Sequence, residues 1–154
     1  MNQIGLNEQH SKDLADKLNV LLANYQLFYI NVRGYHWNIK GEKFFELHAK
    51  FEELYNDAVL KIDEIAERIK TLGQTPLHTY TEYLRHSSIK ETPKVTAGND
   101  AVKHILDALK QLLVLEREIL ELSSEANDEG TNALVSDYIR EQEKMVWMYN
   151  AYLS

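Results

Sequence analysis

Apolar residues recur at three- and four-residue steps from the start of the chain: Leu14, Leu18, Leu21, Leu22, Tyr25, Phe28, Tyr29 and Val32. That period predicts an amphipathic helix from about residue 8 to 37. Gly34 falls inside it and costs about 1 kcal/mol relative to alanine there. The same period returns in Phe44, Leu47, Phe51, Leu54, Tyr55, Ala58, Ile62, Ile65, Ile69 and Leu72, predicting a second helix over about 42 to 72 that Gly73 and Pro76 bring to an end. A third helix is expected from about Asp100 to Ser124, carrying Val102, Ile105, Leu106, Leu109, Leu112, Leu113, Ile119 and Leu120. After Glu125–Gly130, a fourth is expected from about Thr131 to Leu153.

Residues 74–98 hold both prolines, Gly98 and several serines and threonines, so they read as a long connection. A connection of that length is uncommon without structure of its own, and Tyr80-Thr81-Glu82-Tyr83-Leu84 offers one or two helical turns inside it. Four long helices with one long central crossover predict an all-α, ferritin-like four-helix bundle forming a single domain over residues 1–154. No internal repeat or low-complexity segment is visible.

At 154 residues, 44% hydrophobic and 27% charged, the chain has room for one sizeable core. No apolar run reaches the roughly 18 to 20 residues that a membrane span needs, and Met1–Glu8 lacks a basic stretch followed by an apolar one, so a cytoplasmic protein is expected. The absence of cysteine excludes disulfides and thiolate-ligated metal sites. It also removes the side chains that oxidise first, as any cysteine-poor helical protein does. A net charge of −7 opposes general attraction to phosphate backbones.

The chemistry concentrates between His36 and Arg68, where His36, His48, Glu52, Asp63 and Glu67 recur at helical spacing. On one helix, His48, Glu52, Asp63 and Glu67 point at roughly 0°, 40°, 60° and 100°, a single stripe. Along the axis, however, His48 and Glu67 stand about 28 Å apart, and Glu52 and Asp63 about 16 Å, too far for one metal centre. A second copy laid antiparallel across a two-fold axis would bring His48 and Glu52 of one chain opposite Asp63 and Glu67 of its neighbour, giving two equivalent sites. Either i,i+4 pair alone is ordinary decoration of a solvated helix. The joint pattern, with His36-Trp37 ahead of Gly41 and Ala66-Glu67-Arg68 behind, is more specific. An iron site inside one bundle would instead use Glu-x-x-His pairs, and none of the six histidines has an acidic residue three positions before it.

The wording of this stretch, His36-Trp37-Asn38-Ile39-Lys40-Gly41, Phe44-Phe45-Glu46-Leu47-His48 and Asp63-Glu64-Ile65-Ala66-Glu67-Arg68, together with the closing Val146–Leu153, resembles the Dps family, the miniferritins. The resemblance spans nearly the whole chain. It implies that His36, His48, Asp63 and Glu67 are ferroxidase ligands, the histidines from one subunit and the last two carboxylates from its dimer mate. Glu52 stands where the family usually has aspartate, which alters ligand reach at a second iron. The resemblance further implies oxidation of Fe(II) to Fe(III), with hydrogen peroxide as preferred oxidant, at a di-iron site that zinc or another divalent metal also fits. Ferric mineral would be stored in a hollow homo-dodecamer that protects the cell from oxidative stress. DNA binding, which many relatives perform with a lysine-rich tail, is not expected, since the first twenty residues hold only Lys12 and Lys17 as cations. Two alternatives remain at this point: a DNA-compacting nucleoid protein, and a helical shell protein without ferroxidase activity.

Other residues carry two readings each. Trp37, helped by Tyr35, fits either a relay for oxidising equivalents or interface packing. Trp147 and Met148 fit core or interface. Asp128, Glu129 and Asp137 fit either an acidic entry pore or helix capping and dipole pairing. His10, His78, His86 and His104 have no carboxylate pattern and are left unassigned.

Overall fold

The computed structural model describes residues 1–154. Five helices follow one another: α1 Glu8–Asn38, α2 Phe44–Thr71, α3 Tyr80–His86, α4 Gly98–Glu125 and α5 Glu129–Leu153. Four are long and α3 is a two-turn piece within the crossover, as the apolar period predicts. The third and fourth long helices start two residues earlier than that pattern marks, at Gly98 and Glu129, because Gly98, Asn99, Glu129 and Gly130 carry no apolar side chain to signal it.

The ends are set by local chemistry. Asn7 caps α1 by accepting the His10 N–H at 3.0 Å, and Thr79 caps α3 through the Glu82 N–H at 3.2 Å. At the α4–α5 corner Asn127 adopts a left-handed φ of 57°, and the Asp128 N–H reaches back to the Ser123 carbonyl at 2.8 Å.

Helix α1 is the spine, packing against α2, α4 and α3, while α4 packs on α5. Their inward faces bury Leu14, Leu18, Leu21, Tyr25, Phe51, Ile65, Ile69, Ile105, Leu109 and Leu112 almost completely, at roughly 1.5–3 kcal/mol per large side chain. Gly34 stays helical with open space where a Cβ would stand, so its only cost is entropic.

The long crossover is fastened to α1 by three asparagines. Asn19 donates to the Thr75 carbonyl at 3.1 Å and accepts the Leu77 N–H at 2.8 Å. The wholly buried Asn24 accepts the Ser88 and Ile89 N–H groups at 3.1 and 3.0 Å. Asn31 donates to the Lys90 carbonyl at 2.8 Å and accepts the Thr92 N–H at 3.1 Å. A parallel bridge pairs Lys40 with Ala97, the Lys40 N–H donating to the Thr96 carbonyl at 2.8 Å. Backbone groups that a loop would leave to water are thereby paired to a rigid helix.

Candidate metal centre

The α1–α2 turn builds the first half of the site. Ile39 leaves α1 in an extended conformation and Gly41 turns the chain at φ +116°, a region that side chains rarely adopt. The turn folds the end of α1 onto the start of α2 and stacks the His36 and His48 rings, centroids 3.8 Å apart and 11° from parallel. Each ring is locked by the other's backbone: His36 Nδ1 lies 2.6 Å from the His48 carbonyl oxygen and His48 Nδ1 lies 2.7 Å from the His36 carbonyl oxygen. Carbonyl oxygens only accept, so both Nδ1 atoms carry hydrogen and both Nε2 lone pairs are left for a ligand. Phe44 stacks on His48 at 4.8 Å and Tyr55 meets His36 edge-on at 5.3 Å. Backbone, ring packing and tautomer thus agree on one orientation, the preorganisation that a metal-binding histidine needs.

The carboxylates occupy the same side of α2. Glu52, Asp63 and Glu67 are all exposed. Asp63 lies close enough to hold the Glu67 carboxyl above its usual value, through a hydrogen bond between the two and through its charge. No three His, Asp or Glu side chains in one chain converge on a common point.

The stripe carries apolar groups as well. Taking His48 as zero, Val59, Phe45 and Leu60 point at roughly 20°, 60° and 120°, among the proposed ligands. All three are exposed, Phe45 at 81%. A face that mixes exposed large apolar side chains with unsatisfied donors is suited to burial against another surface. The largest groove lies elsewhere, about 460 Å³ between α2 and α5. It is floored by Leu47, Leu54, Met145, Met148, Tyr149 and Tyr152 and holds no histidine. Donor chemistry and concavity therefore separate, and the donors are the better guide.

Several other sequence readings resolve. Tyr35 turns away from His36: it is buried against Phe51 and His104 and its hydroxyl pairs with Thr92. It therefore cannot assist Trp37, whose exposed ring instead lies under the Arg33 guanidinium. Trp147 is 66% exposed and so is not core. Met148 lines the α2–α5 groove. Asp128 is a cap, not a pore residue: it is buried, accepts the Thr131 N–H at 3.0 Å and pairs with Arg68 at 2.7 Å. A Cβ on Gly130 would stand 2.8 Å from the Arg68 guanidinium nitrogens, so a larger residue there would push the guanidinium aside. Asp137 pairs with Arg140 at 3.1 Å on the surface, and Glu129 remains exposed in the first turn of α5.

A second polar cluster lies in the core, and sequence reading missed it. Glu116 of α4 is wholly buried, and neither of its carboxylate oxygens has a well-formed hydrogen bond; the Tyr138 hydroxyl and Gln142 Oε1 are equally without partners. Burial pushes the Glu116 carboxyl up to about 8, opposed by the Lys61 charge and by the Gln142 and Tyr25 side chains. Lys61, itself buried, bridges Asp57 at 2.6 Å and Glu141 at 2.8 Å. Glu116 falls at a core position of the α4 apolar pattern, and that one charged interruption was the available signal.

This bundle, with a buried and a half-buried histidine stacked beside an exposed carboxylate stripe, has known counterparts. The family model of the ferritin-like domain matches residues 15–154, and the chain belongs to that class of proteins. An uncharacterised protein of Haemophilus influenzae is 57% identical over 96% of this chain and 92% of its own length. The DNA protection during starvation protein of Porphyromonas gingivalis is 42% identical over 96% of this chain and 93% of its own. The solved structure of a Dps protein from Vibrio cholerae O1, described as a member of a broad superfamily of ferritin-like diiron-carboxylate proteins, superposes with a TM-score of 0.99. It is 56% identical and covers 100% of this chain and 97% of that one. Within the ferritin-like proteins, the chain belongs to the Dps family. No helix is long and apolar enough to cross a membrane.

Proposed function

We propose that this protein oxidises and sequesters iron in the cytoplasm, with Fe(II) and peroxide as substrates, at sites shared between two copies of the chain. His36 and His48 of one copy, with Glu52, bind Fe(II), and Asp63 and Glu67 of the other complete the donor set. The observation that carries this reading is the reciprocal lock of the two imidazoles, which leaves both Nε2 atoms free on a stripe where one chain gathers too few donors for a centre. Neutral imidazole suits ferrous iron, and carboxylates favour the harder ferric product. Two Fe(II) give one electron each to peroxide, which takes two protons and leaves as two waters, so no hydroxyl radical is released. The shared site needs a two-fold dimer, and the exposed Phe45, Val59 and Leu60 are the apolar part of that contact. Closing dimers through a second contact gives the hollow dodecamer in which ferric mineral collects and by which the cell is spared oxidative stress.

The relatives lend support: the Vibrio cholerae protein is described as related to diiron-carboxylate proteins, and the Porphyromonas gingivalis relative is named for DNA protection. With a chain charge of −7, protection here comes from consuming Fe(II) and peroxide and not from coating DNA.

The decisive test is complementation. His48→Ala and Asp63→Ala proteins, each inactive alone, are dissociated, mixed and reassociated, and ferric absorbance is followed after Fe(II) and peroxide are added. Mixed dimers contain one interface with every ligand, so part of the activity returns. If verified exchange restores none, the site is not shared.

A further inference from the structure

Arg33 is half-buried on α1 and pairs with no carboxylate. Its Nη1 donates to the Tyr29 hydroxyl at 2.7 Å, and its Nε is buried without an acceptor. What surrounds it is rings. The guanidinium carbon lies 4.9 Å from the Trp37 ring centre, 5.5 Å from Tyr55 and 5.8 Å from Tyr29. Tyr55 is the ring that meets His36 edge-on, and Tyr29 meets Tyr55 at 6.0 Å, while Trp37 is the next residue after His36. Of the oxidisable side chains near the histidine pair, Trp37, Tyr55 and Tyr29 therefore face one positive charge, while Tyr35 packs away against Phe51 and His104. Phe44, on the far side of His48, is not readily oxidised.

A cation against a ring face is attracted to the neutral ring, whose quadrupole presents negative charge there. Once the ring has lost an electron the contact turns repulsive, with two positive charges about 5 Å apart, screened in part by water at the exposed Trp37 and less at the half-buried Tyr55 and Tyr29. We propose that Arg33 is an electrostatic shield: its fixed charge keeps Trp37, Tyr55 and Tyr29 reduced when a one-electron oxidant arises beside the histidine pair.

The source of that oxidant rests on the iron-oxidation reading above. When peroxide meets a single Fe(II), it takes one electron and splits into hydroxide and hydroxyl radical. The radical then takes an electron from the Trp37 indole and becomes hydroxide, and the indole radical cation gives its Nε1 proton to that hydroxide, leaving water and a neutral indole radical. Arg33 opposes the electron-loss step, so a second Fe(II) supplies the electron in competition with the protein. Arg33 is a positioning residue in this scheme, since it acts through the rings and touches no substrate.

The test uses the assembled wild-type protein and photogenerated tris(bipyridine)ruthenium(III), with no iron, and peptide mass spectrometry of oxidised residues. Trp37 and Trp147 are comparably exposed in the chain, at 58% and 66%, and the only cations over aromatic rings are Arg33 and Lys61, the latter over Tyr138. Trp147, which no cation faces, serves as the internal reference against which Trp37 oxidation is read in every variant. Arg33→Gln should raise Trp37 oxidation on the order of tenfold, whereas Arg33→Lys, which keeps the charge, should stay within about twofold of wild type. Matching melting curves check that both variants fold alike. Unchanged or reduced oxidation in Arg33→Gln overturns the shield, and so does a lysine variant as vulnerable as the glutamine one, since packing alone would then explain the contact. A parallel arm with Fe(II) and peroxide separates the two readings. Protection in the ruthenium arm beside a wild type that makes no ferric product sustains the shield and removes the iron-oxidation reading.

Discussion

On the α1–α2 face, His36 and His48 fix each other while Glu52, Asp63 and Glu67 stand exposed among Phe45, Val59 and Leu60. In the bundle core, Glu116 is buried with Tyr25, Tyr138 and Gln142 around it and Lys61 close by. The core cluster has the more perturbed acid and the more unpartnered atoms. A search by perturbed titration alone would choose it. Yet Glu116 has no histidine beside it and no opening to solvent, and its anomaly is settled by holding a proton. The outer face is less perturbed but sets exposed carboxylates on the same helix as one member of a locked histidine pair. Exposed donors are open to an external substrate, whereas the sealed Glu116 cluster is not.

The largest effect that separates the regions is on iron. The His36→Ala/His48→Ala variant should lose about 100-fold or more of its Fe(II) oxidation rate, read as ferric absorbance, while Glu116→Gln stays near wild type. The reverse pattern would place the active site in the core.

The second effect is on stability. Burial raises Glu116 from 4.5 to about 8, so between those values the folded protein keeps a proton that the unfolded chain has released. Its contribution is intact below about 4.5, falls as pH rises and is lost above about 8, a change of at most a few kcal/mol. Lys61 from α2, Tyr25 from α1, Gln142 and Tyr138 from α5, and the neighbouring Arg117 are the groups that face it. Thermal melts at pH 5 and pH 8.5 should converge in Glu116→Gln relative to wild type; an unaltered gap would show that Glu116 carries no proton across that range.

The smallest effect concerns Glu52. Shortening it to aspartate should keep the oxidation rate within about tenfold of wild type and change how tightly the second equivalent of Fe(II) binds, and Glu52→Ala should weaken that binding further. Identical titrations in all three proteins would take Glu52 out of the ligand set.

The long helices were readable because Leu14 to Val32 and Phe44 to Leu72 repeat with the helical period, and period is a local property. The carboxylate stripe was readable for the same reason, since helical geometry alone places Glu52, Asp63 and Glu67 on one side of α2. The reciprocal histidine lock was not, because it joins residues twelve positions apart through backbone carbonyls whose direction depends on the turn at Gly41. Arg33 was passed over, since an arginine three residues before His36 looks like a solvated surface charge until Tyr55 arrives from α2. Asp128 was legible only as a choice between pore and cap, and the deciding partner, Arg68, lies sixty positions away.

The three asparagines of α1 give the crossover a mechanical character that its proline-rich composition hides. A segment pinned at residues 75, 77, 88, 89, 90 and 92 behaves as a brace, not as slack. Inserting a peptide tag there would pull several paired amides away from their acceptors at once, at about 1–3 kcal/mol each. The longest irregular stretch in the protein is thus a poor place to graft cargo, and the exposed turn around Gly41 and Glu42, though short, would be worse, because it sets the distance between the two imidazoles.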